Sequence, residues 1–137
     1  MADTLKLEIV TPDAKVYSEE VEMVTLPGSE GEMGIYPKHV PLMTRIEAGE
    51  ITVRKGGQDI FLAVGEGFVE ITGEHVAVLA DMAIRAENID EAKAEEARRR
   101  AEERLAQHLS DEESAAAHAA LAHSLAQLKV KRRHVRH

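Results

Sequence analysis

The chain has 137 residues, a formal charge of −8, 44% hydrophobic and 31% charged residues, and neither Cys nor Trp. That size suits one modest core plus an appendage, and the balance is that of a folded chain rather than a disordered one. The absence of Cys excludes disulfides, thiolate metal sites and cysteine nucleophiles. The acidic total argues against a duplex-binding module with a basic body.

No apolar run approaches the roughly 20 residues of a membrane span. The opening Met1-Ala2-Asp3-Thr4 has neither a basic n-region nor an apolar h-region, so no secretory signal is expected.

Composition divides the chain. All nine Gly lie between Gly28 and Gly73, all four Pro at or before Pro41, and all four aromatics between Tyr17 and Phe68. Residues 88–137 instead hold twelve Ala among Glu, Arg and Leu. Gly and Pro punctuate turns, whereas Ala, Glu, Arg and Leu favour helix. The first 87 residues carry seven basic and sixteen acidic groups, net −9; the last fifty carry ten and nine, net +1. The expected organisation is therefore α+β in two parts: an all-β sandwich or barrel over 1–87, then an antiparallel helical hairpin over 88–137.

In chain order, Leu5, Leu7 and Ile9 alternate with Lys6 and Glu8, the period of a half-buried strand. Val21, Met23 and Thr25 continue it. The stretch from Pro27 to Pro41 is too broken for a long strand and reads as a loop with short extended pieces. Ile51 and Val53 precede a Lys55-Gly56-Gly57-Gln58 turn, with Ile60, Leu62 and Val64 on its far side. Phe68–Ile71 and His75–Leu79 pair across Thr72-Gly73-Glu74. Such turn spacing marks a sandwich or barrel.

The helical part opens at Asn88 or Asp90, with Asn88 and Glu91 in the spacing of a reciprocal cap. Ala94, Ala97, Ala101, Leu105 and Leu109 form one apolar stripe. Glu95–Arg99 and Glu96–Arg100 are spaced as helical ion pairs. Ser110-Asp111-Glu112-Glu113 starts a second helix as a capping box, with a stripe of Ala117, Leu121, Leu125 and Leu128. These Ala-rich stripes bury little area. The hairpin is expected to be marginal alone and to lie on a second surface.

Chemical motifs are weak. Gly28-Ser29-Glu30-Gly31-Glu32-Met33-Gly34 lacks the Gly-Lys-Ser/Thr ending of a phosphate loop and reads as a turn. His39 has no histidine beside it, so no metal site is expected. His118 and His123 are read as surface residues. The basic end is more distinctive. Lys129 to His137 hold Lys129, Lys131, Arg132, Arg133 and Arg136 and no acid. They complement a helix dipole, bind nucleic acid or anionic lipid, or seek an acidic protein surface, the reading placed first.

The run Gly28-Ser29-Glu30-Gly31-Glu32-Met33-Gly34-Ile35-Tyr36-Pro37-Lys38-His39-Val40-Pro41-Leu42 resembles the signature loop of the ε subunit of F-type ATP synthases. Glu47-Ala48-Gly49, Val78-Leu79-Ala80-Asp81, Ile89-Asp90-Glu91-Ala92-Lys93-Ala94 and Leu125-Ala126-Gln127-Leu128-Lys129-Val130 resemble further parts of it. The likeness runs from Leu5 to about Val130. The chain departs in its more basic tail and in Lys93, where the family's nucleotide motif has Arg.

The resemblance implies a non-catalytic rotor subunit of a proton-translocating ATP synthase. It would couple a c-subunit ring to the γ subunit, and its hairpin would extend toward the catalytic β and α subunits to inhibit ATP hydrolysis. It implies c-ring or γ contacts at Glu30, Glu32, Met33 and His39. Arg98, Arg99, Arg100, Lys129, Lys131, Arg132, Arg133 and Arg136 would be contacts of the extended arm. A weak regulatory ATP site would use Ile89, Asp90, Lys93, Ala94 and Arg100; no cofactor is required. The implied place is the cytoplasmic side of a bacterial inner membrane, peripheral, without nucleic acid. The competing class is a stand-alone adaptor whose basic tail binds nucleic acid or an anionic membrane. A metal-dependent β-barrel enzyme is a third.

Overall fold

The computed structural model describes residues 4–134. Ten strands run β1 (Leu5–Val10), β2 (Lys15–Val21), β3 (Met23–Gly28), β4 (Gly31–Ile35), β5 (Leu42–Ile46), β6 (Gly49–Lys55), β7 (Gln58–Val64), β8 (Gly67–Thr72), β9 (His75–Ala80) and β10 (Ala83–Arg85). A short 3₁₀ turn (Ala86–Asn88) leads to α1 (Glu91–Leu105) and α2 (Asp111–His134). The strands hydrogen-bond in the order β10-β7-β6-β3-β5-β8-β9-β1-β2, with β4 added to β3.

β3 and β5 share one pairing, Gly28 with Ile46. There the ribbon passes from a β10-β7-β6-β3 leaf to a β5-β8-β9-β1-β2 leaf. The inward residues of both leaves form one core. It contains Leu5, Leu7, Ile9, Val24, Leu26, Ile51, Val53, Leu62, Val64, Val69, Ile71, Val76 and Val78, each at most 1% exposed. These are the alternate positions expected from the sequence, because successive strand side chains point to opposite faces. The stretch after Pro27 contributes β4, a five-residue strand, and then an irregular run to Pro41. Gly56 and Gly57 both have positive φ (60° and 76°) in the β6–β7 turn, the conformation of a type I′ hairpin that favours glycine at both centres.

The capping box at Ser110 forms in full. Glu113 N–H donates to Ser110 Oγ at 3.1 Å, and Ser110 N–H donates to Glu113 Oε1 at 3.0 Å. At α1 the cap is Asp90, whose side chain accepts from Lys93 N–H at 3.1 Å. Asn88 falls inside the 3₁₀ turn, so it does not cap α1.

The stripe expected on α2 is corrected. Leu125 is 47% exposed, while Ala117, Ser124, Ala126, Leu128 and Val130 are buried. The reason is that α2 has two covered faces rather than one. One packs along α1, and the other lies on the outer face of β6, β7 and β10.

Candidate functional site

Alternation along β7 and β6 prepares the second surface for the hairpin. Ile51, Leu62 and Val64 point into the core, so Glu50, Thr52, Phe61 and Ala63 point outward. Phe61, Ala63, Met82, Ile84, Ala86 and Ile89 meet Ala126 and Val130 of α2 in a small second core. α1 packs along α2, which carries the contacts with the strands.

Polar contacts frame this seam at both ends. At one end His123 Nε2 lies 3.1 Å from Asp81 Oδ1. Gly65 sits beneath the pair: a Cβ there would overlap Asp81 Oδ1 and lie 2.7 Å from His123 Nε2. At the other end Arg133 donates to Glu50 Oε1 at 3.2 Å. His134 pairs with Glu50 Oε2 and stacks on Phe61, with centroids 3.6 Å apart and planes 4° from parallel. Lys131 Nζ donates to the Ala86 carbonyl at 3.3 Å.

Arg132 spans the two helices, reaching Glu91 at 2.6 Å and Glu95 at 3.0 Å. Hydrogen bonds from Arg98, then from Arg132, hold the Glu95 carboxyl below its ordinary range. Glu95 thus pairs with Arg98 and Arg132 instead of Arg99, while Glu96–Arg100 forms as expected at 3.7 Å. His123 is a half-buried interface residue rather than a surface histidine.

The expected residues fall into separate places. Glu30, Glu32 and Met33 gather at the β3–β4 tip, around a depression of about 240 Å³. His39 does not join them. It lies four residues beyond the far end of β4, in a loop tied by Lys38 N–H to the Gly73 carbonyl at 2.7 Å. His39 Nδ1 is 2.6 Å from the Val40 carbonyl. The tip lies at the Gly67 end of β8 and His39 at the Thr72 end, so the strands hold them apart.

Lys93, Ala94 and Arg100 line a depression of about 520 Å³ between α1 and α2, with Glu96, His123 and Gln127. Ile89 is instead buried in the second core, and Asp90 serves as the cap. The volume is ligand-sized, and two cations suit a phosphate chain, although Glu96 already engages Arg100. Arg98 is held by Glu95 and Glu102, Arg99 and Lys129 are exposed on their helices, and Arg136 lies outside the described residues. Among the described residues no cluster of three metal-ligating side chains occurs, and no helix is long and apolar enough to cross a membrane.

One surface escaped sequence reasoning. On the other leaf, Phe68 stands opposite Leu79 in the β8–β9 register, and Leu79 stands opposite Val10 in the β9–β1 register. Phe68 (54%), Leu79 (56%), Met43 (67%) and Val40 (71%) are exposed. Beside them Val10, Thr11, Pro12, Gly67 and Leu79 line an apolar groove. An apolar residue at an outward strand position was the available signal, visible only once the register fixed the outward face.

Two family models together span nearly the whole chain: the ATP synthase Delta/Epsilon chain beta-sandwich domain over residues 4–86, and its long alpha-helix domain over residues 87–132. The chain belongs to the ATP synthase delta/epsilon family. It is 44% identical over 128 residues to the ATP synthase epsilon chain of Laribacter hongkongensis, covering 92% of this chain and 91% of that one. The epsilon chain of Dehalococcoides mccartyi strain CBDB1 is 45% identical over 134 residues, covering 97% and 96%.

Among solved structures, a chain of the Euglena gracilis mitochondrial ATP synthase OSCP/F1/c-ring assembly shares the fold. Its TM-score is 0.73 at 22% identity, over 92% of this chain and 79% of that one. A chain of the Tetrahymena thermophila mitochondrial central stalk/c-ring assembly gives 0.63 at 12%, over 93% and 96%. The epsilon chain is a non-catalytic stalk subunit of ATP synthase.

Proposed function

We propose that this chain couples the rotation of a c-subunit ring to γ in the central stalk, and that its hairpin restrains ATP hydrolysis when it leaves the sandwich. The observation that carries the coupling role is the asymmetry of the two leaves. One outer face is occupied by α2, while the other presents Phe68, Leu79 and Met43 to solvent. Contiguous exposed apolar surface marks a partner site, and γ is the partner that fits a stalk position. The two structural relatives come from an F1/c-ring and a central stalk/c-ring assembly, which supports the same placement for this chain. The β3–β4 tip with Glu30, Glu32 and Met33 is the polar end offered to the ring, and His39 belongs to the opposite end of the sandwich.

The arm reading rests on the thin seam under α2 and on its cationic last turn. Extended, Lys129, Lys131, Arg132, Arg133 and Arg136, with Arg98 to Arg100, would meet acidic surface on catalytic β and α subunits. ATP bound weakly between α1 and α2, against Lys93, Ala94 and Arg100, would favour the docked arm, since a ligand stabilises the state it binds better. The complex would sit at the cytoplasmic face of a bacterial inner membrane.

The test uses the assembled complex. Phe68→Asp with Leu79→Asp should abolish retention of γ, and a cysteine in place of Glu32 should cross-link to a polar loop of c. Cross-linking only to α or β, or full retention of γ by the double variant, would overturn the coupling role. Removal of residues 88–137 should raise ATP hydrolysis; unchanged hydrolysis would overturn the inhibitory role. Calorimetry with ATP, comparing the parent with Lys93→Arg, tests the nucleotide site. Tighter binding by the variant is expected, and no binding by either at millimolar ATP removes the site.

A further inference from the structure

The docked hairpin turns its cationic end inward. Three consecutive side chains of the last turn of α2 are engaged within the chain: Lys131 by the Ala86 carbonyl, Arg132 by Glu91 and Glu95, and Arg133 by Glu50. His134 adds a second contact to Glu50 and covers Phe61.

Glu50 stands out. It projects from the outer face of β6 and keeps only 15% of its side chain exposed. A carboxylate so covered costs free energy unless cations face it. Here the Arg133 guanidinium does so with His134 packed beside it, and Glu32 and Lys129 line the adjoining gap with Glu50 and Arg133. At the far end of the seam Asp81 faces His123, with Glu66 and His118 around the same cavity. Among the described residues, the buried apolar side chains that α2 gives to the seam are the small Ala126 and Val130, with the His134 ring added on Phe61. A contact so small leaves the charged groups a large share in deciding whether the arm stays down.

We propose that Glu50, Glu91 and Glu95 form an internal acidic latch that sequesters Arg132 and Arg133, so that docking on the sandwich and engagement of an acidic protein surface exclude each other. The latch deepens the arm reading given above and rests on it. The carboxylates occupy the cations that an external acidic partner would take. The arm is released only where that partner offers more negative charge, or a closer match, than Glu50 and the α1 pair. Glu50 fixes the sandwich side of the latch. Glu91 and Glu95 hold Arg132 against α1 and keep the hairpin closed on itself.

The experiment uses the full chain. It has no cysteine, so cysteines introduced at the exposed Gln58 and Ala116 can carry a donor–acceptor dye pair reporting the separation of arm and sandwich. Glu50→Gln with Glu91→Gln and Glu95→Gln should lower the ratio of docked to released arm by about fivefold or more at low salt, the scale of a half-exposed charge pair. Salt should release the parent arm and barely alter the variant. A poly-glutamate peptide should bind the variant more tightly than the parent.

Glu8→Gln, which removes the carboxylate of the His75 pair within the sandwich, should leave the arm docked. Arg132→Lys, which keeps the charge, should retain most of the docking that Arg132→Gln weakens, which separates the latch from a general loss of helix. A triple variant as docked as the parent, or peptide affinities that do not differ, would overturn the latch. The dye readout needs no ATP synthase. A variant that opens in isolation while hydrolysis in the complex stays unchanged therefore supports the latch and refutes the inhibitory reading alone.

Discussion

Truncation of Val130 measures how the arm is held. Val130 is 2% exposed and meets Phe61, Ile84 and Ala63 of the sandwich. Val130→Ala removes two buried methyl groups, about 1.6 kcal/mol at about 0.8 per buried carbon. A residual cavity takes the cost toward about 2 kcal/mol. Leu125→Ala removes a larger side chain that is 47% exposed and should cost within about 0.5 kcal/mol. Amide hydrogen exchange across α2 resolves the two. Protection in the C-terminal half of α2 should fall roughly fifteen- to thirtyfold for Val130→Ala and less than about threefold for Leu125→Ala, since about 1.4 kcal/mol is a decade. Strands β1, β8 and β9 should keep their protection in both. Equal losses for the two variants would refute the two-faced packing of α2, and loss throughout the sandwich would refute a separately opening arm.

Gly65→Ala should drive Asp81 and His123 apart, since its Cβ would overlap the carboxylate, and should loosen the middle of α2 in the same exchange experiment while leaving Ala126 and Val130 protected. Acid should melt the hairpin. The Glu113 carboxyl is held below the ordinary carboxylate range, chiefly by the Ser110 backbone N–H, and Glu95 by Arg98. Their contribution is fully present above the unfolded value and is lost as pH falls through the depressed folded values. Helical circular dichroism should therefore decline below about pH 4; a signal constant to pH 2 would contradict this.

The strands were legible because inward positions recur every second residue, as Leu5, Leu7 and Ile9 or Ile60, Leu62 and Val64 declare without help from elsewhere, and Ala63 departs from that period in burial only because α2 covers it. The Ser110 box was equally plain, being a local hydrogen-bond pattern that four residues specify. The second face of α2 was not legible. Ala126 and Val130 are buried by Phe61 and Ile84, which lie more than forty residues away in the chain, so helical periodicity alone favoured Leu125. Nor could spacing separate His39 from Glu30. The eight residues between them include a complete strand, and only its extended length carries the two to opposite ends of the sandwich. The Glu50 cluster was invisible for a similar reason: Glu50 reads as a solvated acid until β6 register turns it toward Arg133.

The two leaves differ in what covers them, and removal of the hairpin should erase that difference. Without residues 88–137 the inward core is untouched, because its buried members all lie between Leu5 and Ala80. The truncated chain should therefore stay folded, with the cooperative unfolding of the sandwich retained. Its outer β6–β7–β10 face would then present Phe61, Ala63, Met82, Ile84 and Ala86, now covered by α2. Together with Phe68, Leu79 and Met43 on the opposite face, both sides of the sandwich would be apolar. Patches of this kind drive association, so the fragment should bind a hydrophobic dye more strongly than the full chain and self-associate at micromolar concentration. Phe61→Ser with Ile84→Ser should suppress both effects in the fragment. A fragment that stays monomeric and dye-free would mean that the α2 seam hides too little apolar surface to matter. The arm would then be held almost wholly by the polar contacts of Glu50 and Asp81 with α2.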